Sequence, residues 1–583
     1  MTLTTPERIV LVSLIVASGG FFAYEIWRRL RIVNRGQGKF PLDRVPSRLM
    51  RVVREVFFHQ RVVSGRHGPG VMHALVFWGF VVFAVVTLDH FGAGFGFPLL
   101  SPGTRRLYSL FVIPVALLVI VGISALAYRR FVVKPPSLGK LSPSSGLVAL
   151  FIFVLMITYL FGETNPPVLP AKVNWWIHTG VILAFLVLIP RSKHLHLVLA
   201  PFNIFFRPFE TPEHAPVTVN LEGSEEELEA TLENLKCLSR NQALDVFSCV
   251  ECGRCTEVCP AHRGGGILDP KHHFILDLRG PMLESKDVAV LDRIDPDAGW
   301  ECTTCQACTY ACPVGNQVEK SEEIRNLQVL VEGQVPGEFQ KLFMNLREAG
   351  NTEGAHESPL DGKFPPYTPD KEYVLWLGCF ARYELDPQFS RSVVNFTRIL
   401  DAAGVTYGIL KEEWCSGDPA LRLGEKTIYH QLREHNLQVL SEAKKVVTLC
   451  PHCLVNLGRE YAKYGPVGYR VEHHTRVIAG LLDSGRITVR PDTGLKPAFH
   501  DPCNLARMMN EVEAPRRALG HVVPRLTELP EHGKRPLCGG AGGGLWWKKE
   551  GVGRTHLLRA RQIVDSDCDT VVTACNFCFG MFN

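Results

Sequence analysis

Five apolar stretches, near residues 8–27, 71–91, 108–128, 146–162 and 175–190, dominate the first 200 positions of the chain. Each approaches the roughly 17–25 residues that a tilted helix needs to cross a bilayer, so a five-helix transmembrane bundle is expected there. Further on the pattern changes. Short apolar runs at 374–377, 446–449 and 571–573 alternate with helical periodicity at 389–403 and 426–443. Strands alternating with helices predict small α/β units.

Charge supplies an orientation. Residues 28–70 carry eleven Lys/Arg and the loop after the third span four, whereas the loop after the second span carries only Arg105 and Arg106 and the loop before the fifth only Lys172. The positive-inside rule then puts the amino terminus outside and everything after residue 191 in the cytoplasm. The first span has no small-residue cleavage site and is followed by Arg28, Arg29 and Arg31, so it reads as a retained anchor rather than a signal peptide. Across 583 residues, 46% are hydrophobic and mean hydropathy is +0.07, high for a soluble protein of this size. Residues 1–220 hold 22 Lys/Arg and 8 Asp/Glu, a net of +14, and the remainder 41 and 50, a net of −9. The basic half suits an anionic inner leaflet. The acidic half is an ordinary soluble surface, and nothing points to nucleic acid.

Eighteen cysteines facing a reducing compartment read as metal ligands, and sixteen fall into sets with ligand spacing, leaving Cys237 and Cys568 without a role. Two runs match: Cys249-x2-Cys252-x2-Cys255-x3-Cys259-Pro260 and Cys302-x2-Cys305-x2-Cys308-x3-Cys312-Pro313. This is the spacing of a two-cluster bacterial ferredoxin, in which the fourth cysteine of each run reaches the other [4Fe-4S] cluster. Cys249, Cys252, Cys255 and Cys312 are expected to hold one cluster and Cys302, Cys305, Cys308 and Cys259 the second. A zinc site would want one tetrahedral set and gives no reason for a second matching run.

The last third of the chain is duplicated. Cys379, Cys415, Cys450 and Cys453 are separated by 36, 35 and 3 positions, and Cys503, Cys538, Cys575 and Cys578 by 35, 37 and 3. Metal ligands at the carboxyl ends of the strands are expected. The arrangement resembles the cysteine-rich CCG domain of the heterodisulfide reductase catalytic subunit and its relatives, over about 371–583. Family members with a cysteine doublet hold a non-cubane [4Fe-4S] cluster that cleaves a disulfide. Here Ser416 stands where the second cysteine of the doublet belongs in copy one, and Leu537 where the first belongs in copy two. Four thiolates suffice for a cubane or a structural zinc, so one or two further iron–sulfur (cubane or non-cubane) or zinc sites are expected, with disulfide chemistry in doubt. The glycine run at 539–544 lacks the strand, spacing and Lys-Ser/Thr of a phosphate loop and is expected to pack against a cluster-bearing cysteine. Copy one continues after Cys453 through an extended segment at 469–472 and a helical run at 476–482, while only five residues follow Cys578. The repeat therefore predicts that another chain, or about thirty residues absent here, covers the open strand edge of copy two.

Ionisable residues within spanning helices are costly and by default functional, which singles out His73, His90 and His178, with His194 and His196 at the cytoplasmic end of the fifth span. Paired imidazoles on facing helices are the usual axial ligands of a b-type haem, the alternative being interfacial histidines near headgroups. His194 and His196, two residues apart on a helix, are expected to point roughly 200° apart, so at most one faces a given iron. The stretches 70–80 and 175–196 resemble spans two and five of the nitrate reductase gamma subunit family. That resemblance implies a haem b between His73 and His196. The family's second haem would use His178, but its partner position is Phe83 here; His90, seventeen residues or about 25 Å beyond His73, could substitute. One haem is the safer expectation, two the larger one.

Together these parts resemble the fused membrane iron–sulfur oxidoreductases related to heterodisulfide reductase, most of all the electron-transfer-flavoprotein:menaquinone oxidoreductases. The expected architecture is multidomain: a gamma-like membrane domain at 1–207, an α-helical two-[4Fe-4S] ferredoxin-type domain at 208–348, a linker at 349–370, and tandem α/β CCG copies at 371–490 and 491–583. The resemblance implies electron transfer from a soluble cytoplasmic flavoprotein through iron–sulfur clusters and haem b to menaquinone in the cytoplasmic membrane. A heterodisulfide reductase-like enzyme exchanging electrons between quinol and a thiol/disulfide substrate is the alternative, and an iron–sulfur scaffold for another complex a third reading. No flavin or nicotinamide fingerprint is found.

Overall fold

The computed structural model describes residues 3–209, 238–284, 294–330, 332–491, 494–548 and 555–583; Cys237 lies outside them. These residues form two compact units, the first drawn from Met1–Arg207, Arg240–Arg254 and Ala311–Asn316, the second from the rest.

Five helices of the first unit are long and apolar enough to cross a membrane: α1 (Thr5–Val33), α2 (His67–Phe95), α3 (Pro102–Tyr128), α4 (Pro143–Glu163) and α5 (Val168–Leu188). Serine or threonine precedes α1, α3 and α4, each with proline in the first turn, where its missing N–H costs nothing. The order of packing is α2 on α3, α3 on α4, α4 on α5, and α5 against α1. Phe83, Val112, Ala116, Val119, Met156 and Tyr159 form the core between α2, α3 and α4. Small residues let the backbones close: a Cβ on Gly79 would stand 2.1 Å from Val119 Cγ2, and one on Gly122 2.9 Å from Met72 O.

After a 3-10 turn at Lys193–Leu195, α6 (His196–Phe206) leads out of the bundle and packs against α7 (Arg240–Ser248). The junction is polar and buried. Asn203 Nδ2 donates to Asp245 Oδ1 and to Asn316 Oδ1, each at 3.0 Å, and Asn316 Nδ2 donates to Asp245 O at 2.8 Å. These bonds satisfy one another where water is excluded, which fixes 240–254 and 311–316 onto the end of α6.

The second unit carries two parallel sheets. β1 (Tyr373–Trp376), β2 (Tyr407–Gly408), β3 (Lys445–Thr448) and β4 (Arg470–His473) lie in the order β2-β1-β3-β4. β5 (Pro497–His500), β6 (Thr527–Glu528) and β7 (Thr570–Thr573) repeat it as β6-β5-β7. Val374 pairs with Val446 in the first sheet and Ala498 with Val571 in the second. β1 and β5 are buried along their whole length, as parallel strands covered on both faces are. Helices Pro387–Ala402 and Lys426–Val439 cover the first sheet, the former capped by Asp386, whose carboxylate accepts from Gln388 and Phe389 N–H groups. Among the described residues nothing takes the place of β4 beside β7, and all four residues of β7 are only half-buried.

Candidate functional site

Cys259, Cys302, Cys305 and Cys308 line one small closed cavity together with Leu268, Phe274 and Glu319. Burial, then the neighbouring Cys302, Cys305 and Cys259 sulfurs, pushes the Cys308 thiol well up. Its first-run partner Cys259 has thus crossed to the second run. The reciprocal crossing appears in the first unit, where burial and then the nearby Cys252 and Cys249 push Cys312 up to about 12. Cys255 belongs to the second unit. The loops that carry the two runs repeat one conformation. Glu251 and Thr304, each two residues past the first cysteine, have φ of 55° and 50°, in the left-handed region sparse for residues with a side chain. The reward is a backbone N–H aimed at sulfur: Glu251 N to Cys249 Sγ and Thr304 N to Cys302 Sγ, both 3.4 Å.

The cysteines of each repeat copy also gather. Cys379 and Cys450 follow the ends of β1 and β3, and Cys503 and Cys575 those of β5 and β7. In copy one, burial and then Cys415 and Cys453 raise Cys379. In copy two, Cys503 Sγ and Cys538 Sγ are 3.9 Å apart, and Cys578 is raised by its bond to Cys575, by burial, and by Cys503 and Cys538. Ser416 and Leu537, at the positions of the missing doublet cysteines, are both buried and offer no thiol. Among the described residues no three His, Cys, Asp or Glu side chains converge to hold a single ion. The donor sets are all sulfur and mostly buried, with Cys249, Cys252, Cys255 and Cys379 partly exposed, and backbone N–H groups turn to them, which fits iron–sulfur clusters.

Within the second unit the sets adjoin. Cys305 packs with Cys503 and Cys538 in one buried cluster, joining the ferredoxin-type site to copy two. The glycine run accounts for this approach: a Cβ on Gly542 would stand 2.4 Å from Thr303 O, and one on Gly543 2.1 Å from Cys302 O. Gly540 N also points at Cys538 Sγ, 3.4 Å away. Arg325, fully buried, donates to Gly299 O (3.1 and 2.9 Å), Cys302 O (2.8 Å), Arg422 O (2.7 Å) and Gly543 O (3.0 Å). One guanidinium thereby ties the ferredoxin-type loop to both copies. His452 of copy one packs against Phe577 of copy two, ring centres 4.6 Å apart. Burial opposes its charge, but Asp418, 2.8 Å from Nδ1, raises it to about 10.

The first unit contains a cavity of about 970 Å³ lined by His73, His178, His194 and His196, and reaching Cys252 and Arg254. The His73 and His196 rings are 6.3 Å apart, centre to centre. With metal–imidazole bonds of about 2 Å, rings so spaced would each be able to offer one nitrogen to a single iron. His73 Nδ1 is buried without a hydrogen-bond partner. Lys193 O sits 2.8 Å from His196 Nδ1, which orients Nε2 away from it. These residues fit a haem. His194 also lines the cavity, its ring 6.0 Å from His196, because the chain there is a 3-10 turn entering α6 and the α-helical spacing does not apply. His178 and His90 do not suit a second haem. Their ring centres are 4.9 Å apart, too close for an intervening iron, and His90 stacks on Trp175 and bonds Thr179 Oγ1 at 2.8 Å. Phe83 packs edge-on against Tyr159.

Sequence reasoning passes over His59, whose ring lies 5.3 Å from His73, because it precedes the apolar run of α2. It also passes over Arg325 and the His452–Asp418 pair. The proximity of His452 to Cys450 and Cys453 is the one signal available for the last.

Comparison with known proteins matches a cysteine-rich domain at residues 373–458 and again at 497–583, and a 4Fe-4S dicluster domain at 242–313. The fold and the site define an iron–sulfur oxidoreductase with candidate membrane helices. The chain is 28% identical to a probable iron–sulfur-binding oxidoreductase, FadF, of Bacillus subtilis (strain 168), over 96% of this chain and 92% of that protein. It is 27% identical to an EtfAB:quinone oxidoreductase of Syntrophomonas wolfei, over 96% and 91%. One polypeptide of the dihydromethanophenazine:CoB–CoM heterodisulfide reductase from Methanosarcina barkeri is 27% identical over 59% of this chain and 90% of its own. No solved structure matches. Along most of its length the chain is thus similar to iron–sulfur oxidoreductases, and it joins a 4Fe-4S dicluster segment to paired cysteine-rich domains.

Proposed function

We propose that this protein takes electrons from a reduced cytoplasmic flavoprotein of the electron-transfer-flavoprotein kind and delivers them to menaquinone in the cytoplasmic membrane. The observation that carries the reading is the packing of Cys305 with Cys538, which makes the cysteine-rich copies and the ferredoxin-type site neighbours in one unit. Similarity to an EtfAB:quinone oxidoreductase over nearly the whole chain supports the choice of donor and acceptor. The charge asymmetry of the loops supports an amino terminus outside and cysteine sites inside.

Iron–sulfur clusters and a haem b supply one-electron steps. Cys249, Cys252, Cys255 and Cys312 would hold one [4Fe-4S] cluster and Cys259, Cys302, Cys305 and Cys308 the other, with the two repeat sets as further cluster sites. His73 and His196 would hold the haem, in a cavity that Cys252 also lines. Phe77, Phe80 and Ile189 give that cavity apolar walls. The heterodisulfide reading is disfavoured, because Ser416 and Leu537 leave each copy without its doublet. The test is quinone reduction by reduced flavoprotein on the purified full chain. Heterodisulfide cleavage with no flavoprotein-dependent quinone reduction would overturn the proposal.

A further inference from the structure

Between α1 and α2 the chain forms a helix that is inside out. It runs as α-helix over Val45–Val52 and continues as a π-helical turn over Val53–Phe57. Val45, Leu49, Val53 and Phe57, four residues apart, share one side, and Arg48, Arg51 and Glu55 the other. A surface helix ordinarily turns its apolar stripe to the core. Here the charged side is inside. Arg48, fully buried, donates to Phe205 O (3.1 Å) and Arg207 O (3.0 Å), Arg51 donates to Arg207 O (2.6 Å), and Glu55 accepts from both Arg207 Nη groups at 2.8 and 2.6 Å. The two arginines thereby satisfy carbonyls at the end of α6, where no helical partner is left. The apolar side stays out: Leu49 is 53% exposed, Met50 51% and Phe58, just past the helix, 71%.

We propose that residues 42–58 lie in the plane of the membrane as a sixth lipid-contacting element, with Leu42, Val45, Leu49, Val53, Phe57 and Phe58 sunk into phospholipid. The proposal rests on the reading of α1 and α2 as spans. A segment that joins consecutive spans lies at the membrane face where one ends and the next begins, so its apolar side meets headgroups and acyl chains. The ring contacts give the depth. Phe57 lies 6.3 Å from both Phe77 and Trp78 of α2, centre to centre. Phe77 in turn stands six residues, or about 9 Å, into the apolar run that begins at Val71. In-plane amphipathic helices sink about 5–10 Å into this same boundary. Trp78 is itself exposed on α2, so the stripe continues the surface that α2 turns to lipid. Arg44 and Arg54, also exposed, can reach headgroups while the apolar residues stay below. Just beyond the stripe, the His59 ring lies 5.3 Å from that of His73, which carries the lipid contact to a residue of the histidine cavity.

The experiment places a diazirine analogue of leucine at Leu49, or of methionine at Met50, in the full chain reconstituted in vesicles of phosphatidylethanolamine and phosphatidylglycerol. Each analogue is close in shape to the residue it replaces. Illumination should join phospholipid to the peptide that carries the probe, read by mass spectrometry. Water addition alone, which marks a face kept for another protein, or cross-links to a second copy of the chain, would overturn the proposal. The leucine probe at Leu118 of α3, exposed on the bundle, reports on the spans: no lipid there would defeat the reading of these helices as spans, a different failure. Phe58→Trp gives a second measurement that needs no cross-link. The added emission, measured as the difference from the unaltered protein, should be largely lost when the acyl chains carry bromine. Undiminished emission in brominated vesicles contradicts the insertion.

Discussion

The rings of His73 and His196 both line the membrane-unit cavity, their centres 6.3 Å apart and their planes inclined by 38°, although 123 positions separate them in the chain. His73 stands near the start of α2 and His196 opens α6, so the pair lies at one end of the helices rather than midway along them.

Replacing His73 or His196 by alanine should therefore abolish the dithionite-reduced b-type absorbance. His90→Ala should keep it, since His90 is engaged with Trp175 and Thr179 and does not line the cavity. Full absorbance in both ligand variants would show the pair to be misread.

The crossed cysteine arrangement separates two classes of variant. Cys259→Ser and Cys308→Ser should perturb the same resonance signal, and Cys312→Ser the other one. Each should lose about four irons if the cluster fails to assemble. Grouping by sequence run instead, with Cys259 behaving like Cys252, would contradict the crossing.

Arg325→Met should destabilise the second unit by about 3 kcal/mol or more, because it strands the buried carbonyls of Cys302, Arg422 and Gly543 without a donor. Arg325→Lys should not restore stability, since a point charge cannot span that many acceptors. Thermal loss of iron–sulfur absorbance reads the effect, and an unaltered midpoint in the methionine variant would refute it.

Gly543→Ala should be severely destabilising, for two reasons. Its φ is 65°, and the new methyl would meet Cys302 O at 2.1 Å, a backbone atom that cannot step aside. Gly480→Ala, in a helix with nothing within 4 Å, should instead gain about 0.5–1 kcal/mol. Comparable midpoints for the two variants would mean that the glycine run is not a docking surface for the ferredoxin-type loop.

Much of the fold is legible because its signals are local. The apolar runs at 374–377, 446–449 and 571–573 fall within one residue of β1, β3 and β7; β1 and β3 are apolar because they are covered on both faces, and half-buried β7 keeps the β-branched Val571 and Val572 of a strand. The first apolar stretch covers 8–27 but the helix runs Thr5–Val33, because hydropathy stops at Arg28 whereas backbone hydrogen bonding does not. The two four-cysteine runs are legible from spacing alone. What escapes are partners distant in sequence. Nothing near Arg325 announces Gly543, and nothing near His452 announces Phe577. His194 defeats helical spacing because the sequence does not reveal where a 3-10 turn gives way to an α-helix.

The hydrogen-bonded trio Asn203, Asp245 and Asn316 has a consequence for anyone dividing this protein. A gene cut after Phe206 would yield a product in which Asp245 and Asn316 have lost the Asn203 side chain that bonds both. The ferredoxin-type stretch is sewn into the membrane portion at two separate places, so the seam between soluble and membrane parts has no counterpart as a single point in the reading frame.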